Sequence, residues 1–230
     1  MGQQLILNLN LFEEVSLNNY YAGKNKNVAY VLKKMVALTG DKFVFLWGAH
    51  GLGRSYLLQA CAATVNKNGF KALYIPLSNI KNLTTDILCN LENMDLVCLD
   101  DLENISEDIV WQRAIFNLYN NMIDNNKYLL VSAIKSANFL NLALPDLTSR
   151  LNSGVALQIQ AFSEEEKIEA LLERAKAREL NLPLEVINFL LKNSKRDNKT
   201  LFETLDKLDR AALHAQRRLT IPFIKKILQL

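Results

Sequence analysis

One stretch limits what this chain can become: FVFLW (residues 43–47), then GAHGLGRS (residues 48–55), then the helix-like YLLQACAATV. Apolar run, glycine-rich turn and helix, in that order, form the setting in which GxxxxGK[ST] cradles a phosphate. The glycines let backbone N–H groups converge on phosphate oxygens at a helix N-terminus. The positions that would line such a cradle are Gly48, Gly51, Leu52, Gly53, Arg54, Ser55 and Tyr56. Arg54 stands where the motif has lysine. It keeps the positive charge but replaces a compact ammonium with a planar fork, so phosphate binding should survive with altered geometry at the γ-phosphate. Ser55 is retained and within reach of Mg²⁺. The plainer reading is a glycine-rich turn with no ligand.

A second motif completes the pattern. LVCLDD (residues 96–101) is an apolar strand ending in Asp100, where a carboxylate can hold Mg²⁺ or its water shell. Hydrolytic relatives of such sites commonly follow this Asp with a Glu that activates water. Here Asp101 follows, one methylene shorter, and a carboxylate that falls short of the water binds nucleotide better than it turns it over. Asp101 is therefore only a weak catalytic candidate.

Further short apolar runs, ALYIPL (72–77), YLLVSAI (128–134) and VALQIQ (155–160), alternate with stretches of helical length such as SEDIVWQRAIFNLYNNMID (106–124). In that helix Ile109, Ile115, Phe116 and Tyr119 fall at spacings that can share a face. Continuous apolar strands alternating with helices predict an α/β fold, a five-stranded parallel sheet buried on both faces. After Gln160 the pattern becomes wholly helical. Ser163 and Glu166 spell a capping box for a helix through Arg178, and Pro183 and Pro222 suit first helical turns. Leu201, Leu205 and Leu208 recur at helical spacing. The expected organisation is a tail at 1–12, an α/β nucleotide-binding domain at 13–160 and a small α-helical lid at 161–230.

Half of the 230 residues are apolar, enough for a sizeable core, and 27 basic against 24 acidic residues leave a net charge of +3. That surplus is too small for a protein that grips nucleic acid by phosphate neutralisation alone, so DNA should be met through a partner. Cys61, Cys89 and Cys98 are odd in number, widely spaced and set in apolar contexts, without a CxxC pair, which suits a reduced cytoplasmic protein lacking a structural metal. No run approaches the ~18 apolar residues of a membrane span, and the N-terminus lacks the pattern of a signal peptide.

LPDLTSRLNSG (144–154) narrows the reading. GAHGLGRS, LVCLDD, LPDLTSRL, TLFETLDKLDRA and the closing LTIPFIKKIL, in this order, resemble the AAA+ ATPase core of the DnaA family, and within it the Hda subfamily of replication-initiation regulators. The resemblance runs from about Gln4 to Leu230. It implies that Arg150 is an arginine finger presented in trans to ATP held by DnaA, that the lid arginine facing the bound nucleotide corresponds to Lys199, and that Tyr21, Gly23 and Asn25 flank an adenine. It further implies ADP (or ATP) with Mg²⁺ as ligand. Near the end of VSAIK only Ser132 offers a polar group to sense a γ-phosphate. With Asp101 and Lys199, this points to nucleotide held as a conformational ligand more than consumed. DnaA carries a DNA-reading helix-turn-helix domain beyond its lid, and this chain ends with the lid helix.

The N-terminal QLILNL matches the subfamily's QLxLPL, in which Gln4, Leu5, Leu7 and Leu9 would enter a groove of the DNA polymerase III sliding clamp as an extended peptide. Asn8 replaces the proline and leaves the peptide less preorganised; an edge strand packed on the domain is the alternative. The resemblance thus implies a negative regulator that joins DNA-loaded clamp to ATP-bound DnaA and stimulates hydrolysis there, in the cytoplasm and near the nucleoid through the clamp. An autonomous ATPase of the helicase-loader type and a pure adaptor with a vestigial site are the competing readings. A homodimer or larger homo-oligomer stays open at this point.

Overall fold

The computed structural model describes residues 16–178, 180–193, 197–215 and 217–229. Gln4, Leu5, Leu7 and Leu9 lie outside the described residues, as does the side chain of Lys199. In chain order come α1 (Lys26–Val36), β1 (Phe43–Trp47), α2 (Arg54–Lys67), β2 (Ala72–Pro76), β3 (Leu96–Asp100), α3 (Ile109–Asp124), β4 (Tyr128–Ala133), α4 (Pro145–Ser153) and β5 (Val155–Gln158). The helices α5 (Glu164–Ala177), α6 (Leu184–Asn193), α7 (Asn198–Ala215) and α8 (Ile221–Leu228) follow.

The five strands form one parallel sheet in the order β2-β3-β4-β1-β5. Strand alternation divides the core between its two faces. Phe43 and Phe45 join Val97, Leu99, Val131, Trp111, Ile115 and Leu118 on the face covered by α3 and α4. Val44 and Leu46 point the other way, onto Leu57, Leu58, Cys61 and Val65 of α2 and Leu32 and Met35 of α1. β3 and β4 are buried along their whole length, as strands covered on both faces should be.

Several details differ from expectation. β2 and β4 stop one residue early and β5 two, although the Ile159 N–H still donates to the Trp47 carbonyl at 2.8 Å. α3 begins at Ile109 because the Asp108 carboxylate accepts from the N–H groups of Val110 and Trp111 and starts the helix there. Ile109 therefore lies at the solvent end of the helix, 38% exposed, and does not join the buried face of Trp111, Ile115, Leu118, Tyr119 and Met122. Cys61 and Cys98 are buried, and burial pushes both thiols well above their usual range, whereas Cys89 is exposed, unlike its expected apolar seat.

The lid has its own core, in which Leu201, Leu205 and Leu208 meet Leu171, Val186, Ile187, Leu190 and Ile224. The capping box of Ser163 and Glu166 starts α5, and Arg178 ends it. Pro222 lies in the first turn of α8. Pro183 stands one place ahead of α6, its carbonyl accepting from the Ile187 N–H at 3.1 Å.

Candidate functional site

β1 sits between β4 and β5, and its C-terminal end carries the glycine-rich loop into α2. Gly51 and Gly53 hold φ of +78° and +97°, which the turn from strand to helix needs and which other L residues resist. A Cβ on Gly53 would meet nothing within 4 Å, so the loop stays open on that side. A Cβ on Gly51 would come within 2.7 Å of Asp197, whose carboxylate caps α7 by accepting from the N–H and hydroxyl of Thr200. The start of α7 thus closes over the loop. The N-cap of α2 is Gly53, which has no side chain to cap it, so the first N–H groups form an anion-attracting helix start.

Arg54 opens α2 and is 5% exposed. Its Nη2 lies 3.0 Å from Asp101 Oδ1 and 3.2 Å from Glu103 Oε1, while its Nη1 is buried without a hydrogen-bond partner. A buried guanidinium N–H left unpaired is costly. It is a candidate donor for a phosphate oxygen.

Glu103 escapes the sequence motifs. Besides holding Arg54, its Oε2 accepts from the Ile134 N–H at 3.0 Å, which ties the phosphate-loop arginine to the end of β4. Asp101 has a left-handed backbone (φ 59°), and burial together with the Asp100 charge raises its carboxyl above the usual range against the pull of Arg54. Committed to Arg54, it is poorly placed as a base for water.

Asp100 is 1% exposed and fully engaged: Tyr74 donates to Oδ2 at 2.7 Å, and the Ser132 hydroxyl and the Asp101 N–H donate to Oδ1. Burial, with the nearby Asp100 charge, raises the Tyr74 phenol far above its usual range. Ser132, expected to face a γ-phosphate, is wholly buried and bound to Asp100, because β4 places it beside the end of β3. Any metal contact of Asp100 would run through water; among the described residues no cluster of three or more metal-ligating side chains exists.

Beside Tyr56, a cavity of about 140 Å³ is lined by Asn19, Tyr21, Ala170, Glu173, Arg174 and neighbouring residues, between the N-terminal segment, α2 and the lid. Tyr21 donates to Glu169 at 2.5 Å, a bond that pushes its phenol up to about 12, and packs edge-on against Phe162. Gly23 has φ +46°, and a Cβ there would come 2.7 Å from Glu166, which accepts from the Lys24 N–H. Asn25 is buried and pairs through its amide with both backbone groups of Gln160, so it fixes the join between domains and does not line the cavity. Arg174 forks onto Asp206 and lies over the rings of Phe202 and Tyr56. No motif singles it out in the sequence, because its partners Phe202 and Asp206 on α7 lie about thirty residues away.

Arg150 stands apart from these groups on α4. It is exposed, with its guanidinium carbon 5.7 Å from the ring centroids of both Phe116 and Tyr119. No carboxylate among the described residues pairs with it. The ledge beneath is fixed, since Tyr119 packs edge-on against Phe43 and hydrogen-bonds Ser153 at 2.8 Å.

Comparison with known proteins places this geometry. Residues 11–158 match the bacterial DnaA ATPase domain, and residues 164–228 match the Hda lid domain. Domain III of Thermotoga maritima DnaA superposes with a TM-score of 0.77 at 20% identity, over 94% of this chain and 95% of that one. AMPPCP-bound DnaA from Aquifex aeolicus superposes at 0.72 and 22% identity over 86% of this chain, which spans 65% of that protein. The Holliday junction branch migration motor RuvB of Thermotoga maritima superposes at 0.65 and 14% identity, over 94% of this chain and 72% of that one. The shared architecture is the AAA+ core with its helical lid.

Proposed function

Because the chain belongs to the bacterial DnaA ATPase-domain family and carries an Hda lid domain, we propose that it is a negative regulator of replication initiation that acts on ATP-bound DnaA. In this reading Arg150 enters the nucleotide site of DnaA and cancels charge developing on the γ-phosphate as it leaves. The observation that carries it is the state of Arg150: an exposed guanidinium on a rigid aromatic ledge, with no carboxylate of the described residues to neutralise it. A cation so held keeps its charge for a partner.

The chain's own site suits retention of nucleotide. Arg54 Nη1 and the uncapped start of α2 fit the phosphates of ADP or ATP, the cavity beside Tyr21, Tyr56 and Arg174 fits the base, and Lys199 lies in the first turn of α7 near the loop. Ser55 and the water shell of Asp100 would hold Mg²⁺. With Asp101 bound to Arg54 and Ser132 to Asp100, little remains to activate water, which favours this reading over an autonomous helicase-loader ATPase. Gln4, Leu5, Leu7 and Leu9 would tether the chain to the sliding clamp, and so to DNA.

The test mixes the protein with ATP-loaded DnaA, with and without DNA-loaded clamp, and follows ADP formation. The wild type should stimulate hydrolysis in the presence of clamp while turning over little ATP alone. Arg150→Ala should lower the stimulation by on the order of a hundredfold or more, with unchanged ADP affinity and folding. Gln4→Ala with Leu5→Ala should abolish clamp binding at unchanged nucleotide affinity. Full stimulation by Arg150→Ala would sink the arginine assignment; substantial turnover by the protein alone would favour the helicase-loader reading.

A further inference from the structure

The net charge of +3 hides an asymmetry. Residues 210–230 contain Arg210, Arg217, Arg218, Lys225 and Lys226 and no acidic residue, so the other 209 positions hold 22 basic against 24 acidic side chains and are net −2. All five cations are exposed, and so is His214. Arg210 and His214 are one turn apart on α7, Arg217 and Arg218 follow just beyond its end, and Lys225 and Lys226 lie about 7 Å along α8 from its start at 1.5 Å per residue.

The backbone near these cations is hydrogen-bonded and anchored. The Arg217 N–H bonds the Ala212 carbonyl at 3.1 Å, Leu219 beside Arg218 is 3% exposed, and the Ile224 N–H bonds the Thr220 carbonyl at 2.9 Å. The nearest carboxylates upstream on α7 are engaged by α5: Asp206 by Arg174 and Arg178, and Asp209 by Arg178 at 3.7 Å. Lys225 also lies 5.9 Å from the Phe189 ring.

From this charge distribution we infer that the end of the lid formed by α7 and α8 binds the phosphate backbone of duplex DNA directly and without sequence preference. A segment that exposes five cations and contains no acidic residue matches a polyanion whose charges repeat every ~1.7 Å along its axis. Two features favour the duplex over other anions. Ile224 of α8 is buried in the lid core and Phe223, Ile227 and Leu228 pack against that core, so the apolar face of the helix is turned toward the lid and not toward a membrane. Leu213 is the one large exposed apolar side chain described in this segment, with no exposed aromatic ring to stack single-stranded bases or to anchor a protein partner. DNA contact would then come from the chain itself as well as through a partner.

The experiment titrates the full chain into a fluorescent 30-base-pair duplex of mixed sequence, reading anisotropy at several potassium chloride concentrations between 50 and 200 mM. The duplex should bind with a log-log salt slope of about −3 to −4.5, at ~0.9 per phosphate neutralised. Arg217→Glu, Arg218→Glu and Lys226→Glu together should weaken binding at least tenfold and flatten the slope. The control Lys26→Glu, Lys33→Glu and Lys34→Glu on α1 changes net charge equally and should leave most of the binding. The milder Arg217→Ala with Arg218→Ala should give a smaller loss in the same direction at an unchanged melting temperature. Absence of duplex binding at 50 mM salt, or equal loss in both triple variants, would overturn the inference. So would equal affinity for phosphatidylserine vesicles or for poly-glutamate.

Discussion

At the scale of single residues, the site turns on one arginine with two carboxylate partners. Asp101 and Glu103 together draw the Arg54 fork toward the end of β3, so a γ-phosphate arriving there would meet two negative charges while its cation is already shared. Glu103→Gln should therefore raise ATP affinity relative to ADP, lowering the ratio of their dissociation constants severalfold, as calorimetric titration with each nucleotide would read. The two side chains are in contact, so an Arg54→Lys background should change the size of that effect. A ratio unmoved by Glu103→Gln would leave Glu103 with its Ile134 bond alone. None of this pairing was legible beforehand. Arg54, Ser55, Asp100 and Arg150 follow from motifs at fixed spacings, but Glu103 meets Arg54 only because β3 and α2 pack together, and Ser132 turns to Asp100 only through the register of β3 with β4. Left-handed Asp101 likewise carries no sign in LVCLDD.

At the scale of elements, the strands were readable because β1, β3 and β4 are buried on both faces and must be apolar throughout, and the capping box announced α5 by its residue types. The start of α3 was not, since Ser106 and Asp108 both offer caps and the tertiary position of Gln112, which bonds the carbonyls of Ile105 and Ser106, decides between them. Glu166 shows what such a cap does beyond its own helix. Its carboxylate accepts from Ser163 within the lid and from Lys24 in the core, and these bonds hold it below the usual glutamate range. Its contribution is thus fully present above the ordinary glutamate pKa of about 4.3, and is lost as the pH falls through the lower folded value. Glu166→Gln should lower the melting temperature at pH 7 and converge on the wild type once the pH falls below the lowered folded value. Ser163→Ala should cost about 1 kcal/mol, measured by urea unfolding. A gap for Glu166→Gln that does not narrow as the pH is lowered would show that shape and not charge makes the contact.

At the scale of the whole molecule, the core and the lid meet at the phosphate loop, through Gly51 against Asp197, and at the cavity, through Tyr21 and Tyr56 against α5. A nucleotide filling that seam would bind the folded arrangement only. ADP at a hundred times its dissociation constant should add about 2.7 kcal/mol, or roughly 5–10 °C in melting temperature for a chain of this size, and calorimetry should show the rise. An unchanged melting temperature would separate the cavity from any nucleotide role. The strand order has a consequence of its own for synthesis. β1, made early, must wait for both neighbours: Phe43 pairs with Leu129 and Val44 with Val155, more than eighty residues later in each case. A ribosome that has finished the glycine-rich loop has not yet made either strand that will hold it in place. The sheet can close only when about two-thirds of the chain has emerged, so truncation or a stall before residue 158 should leave long apolar strands unpaired and open to chaperones or proteases.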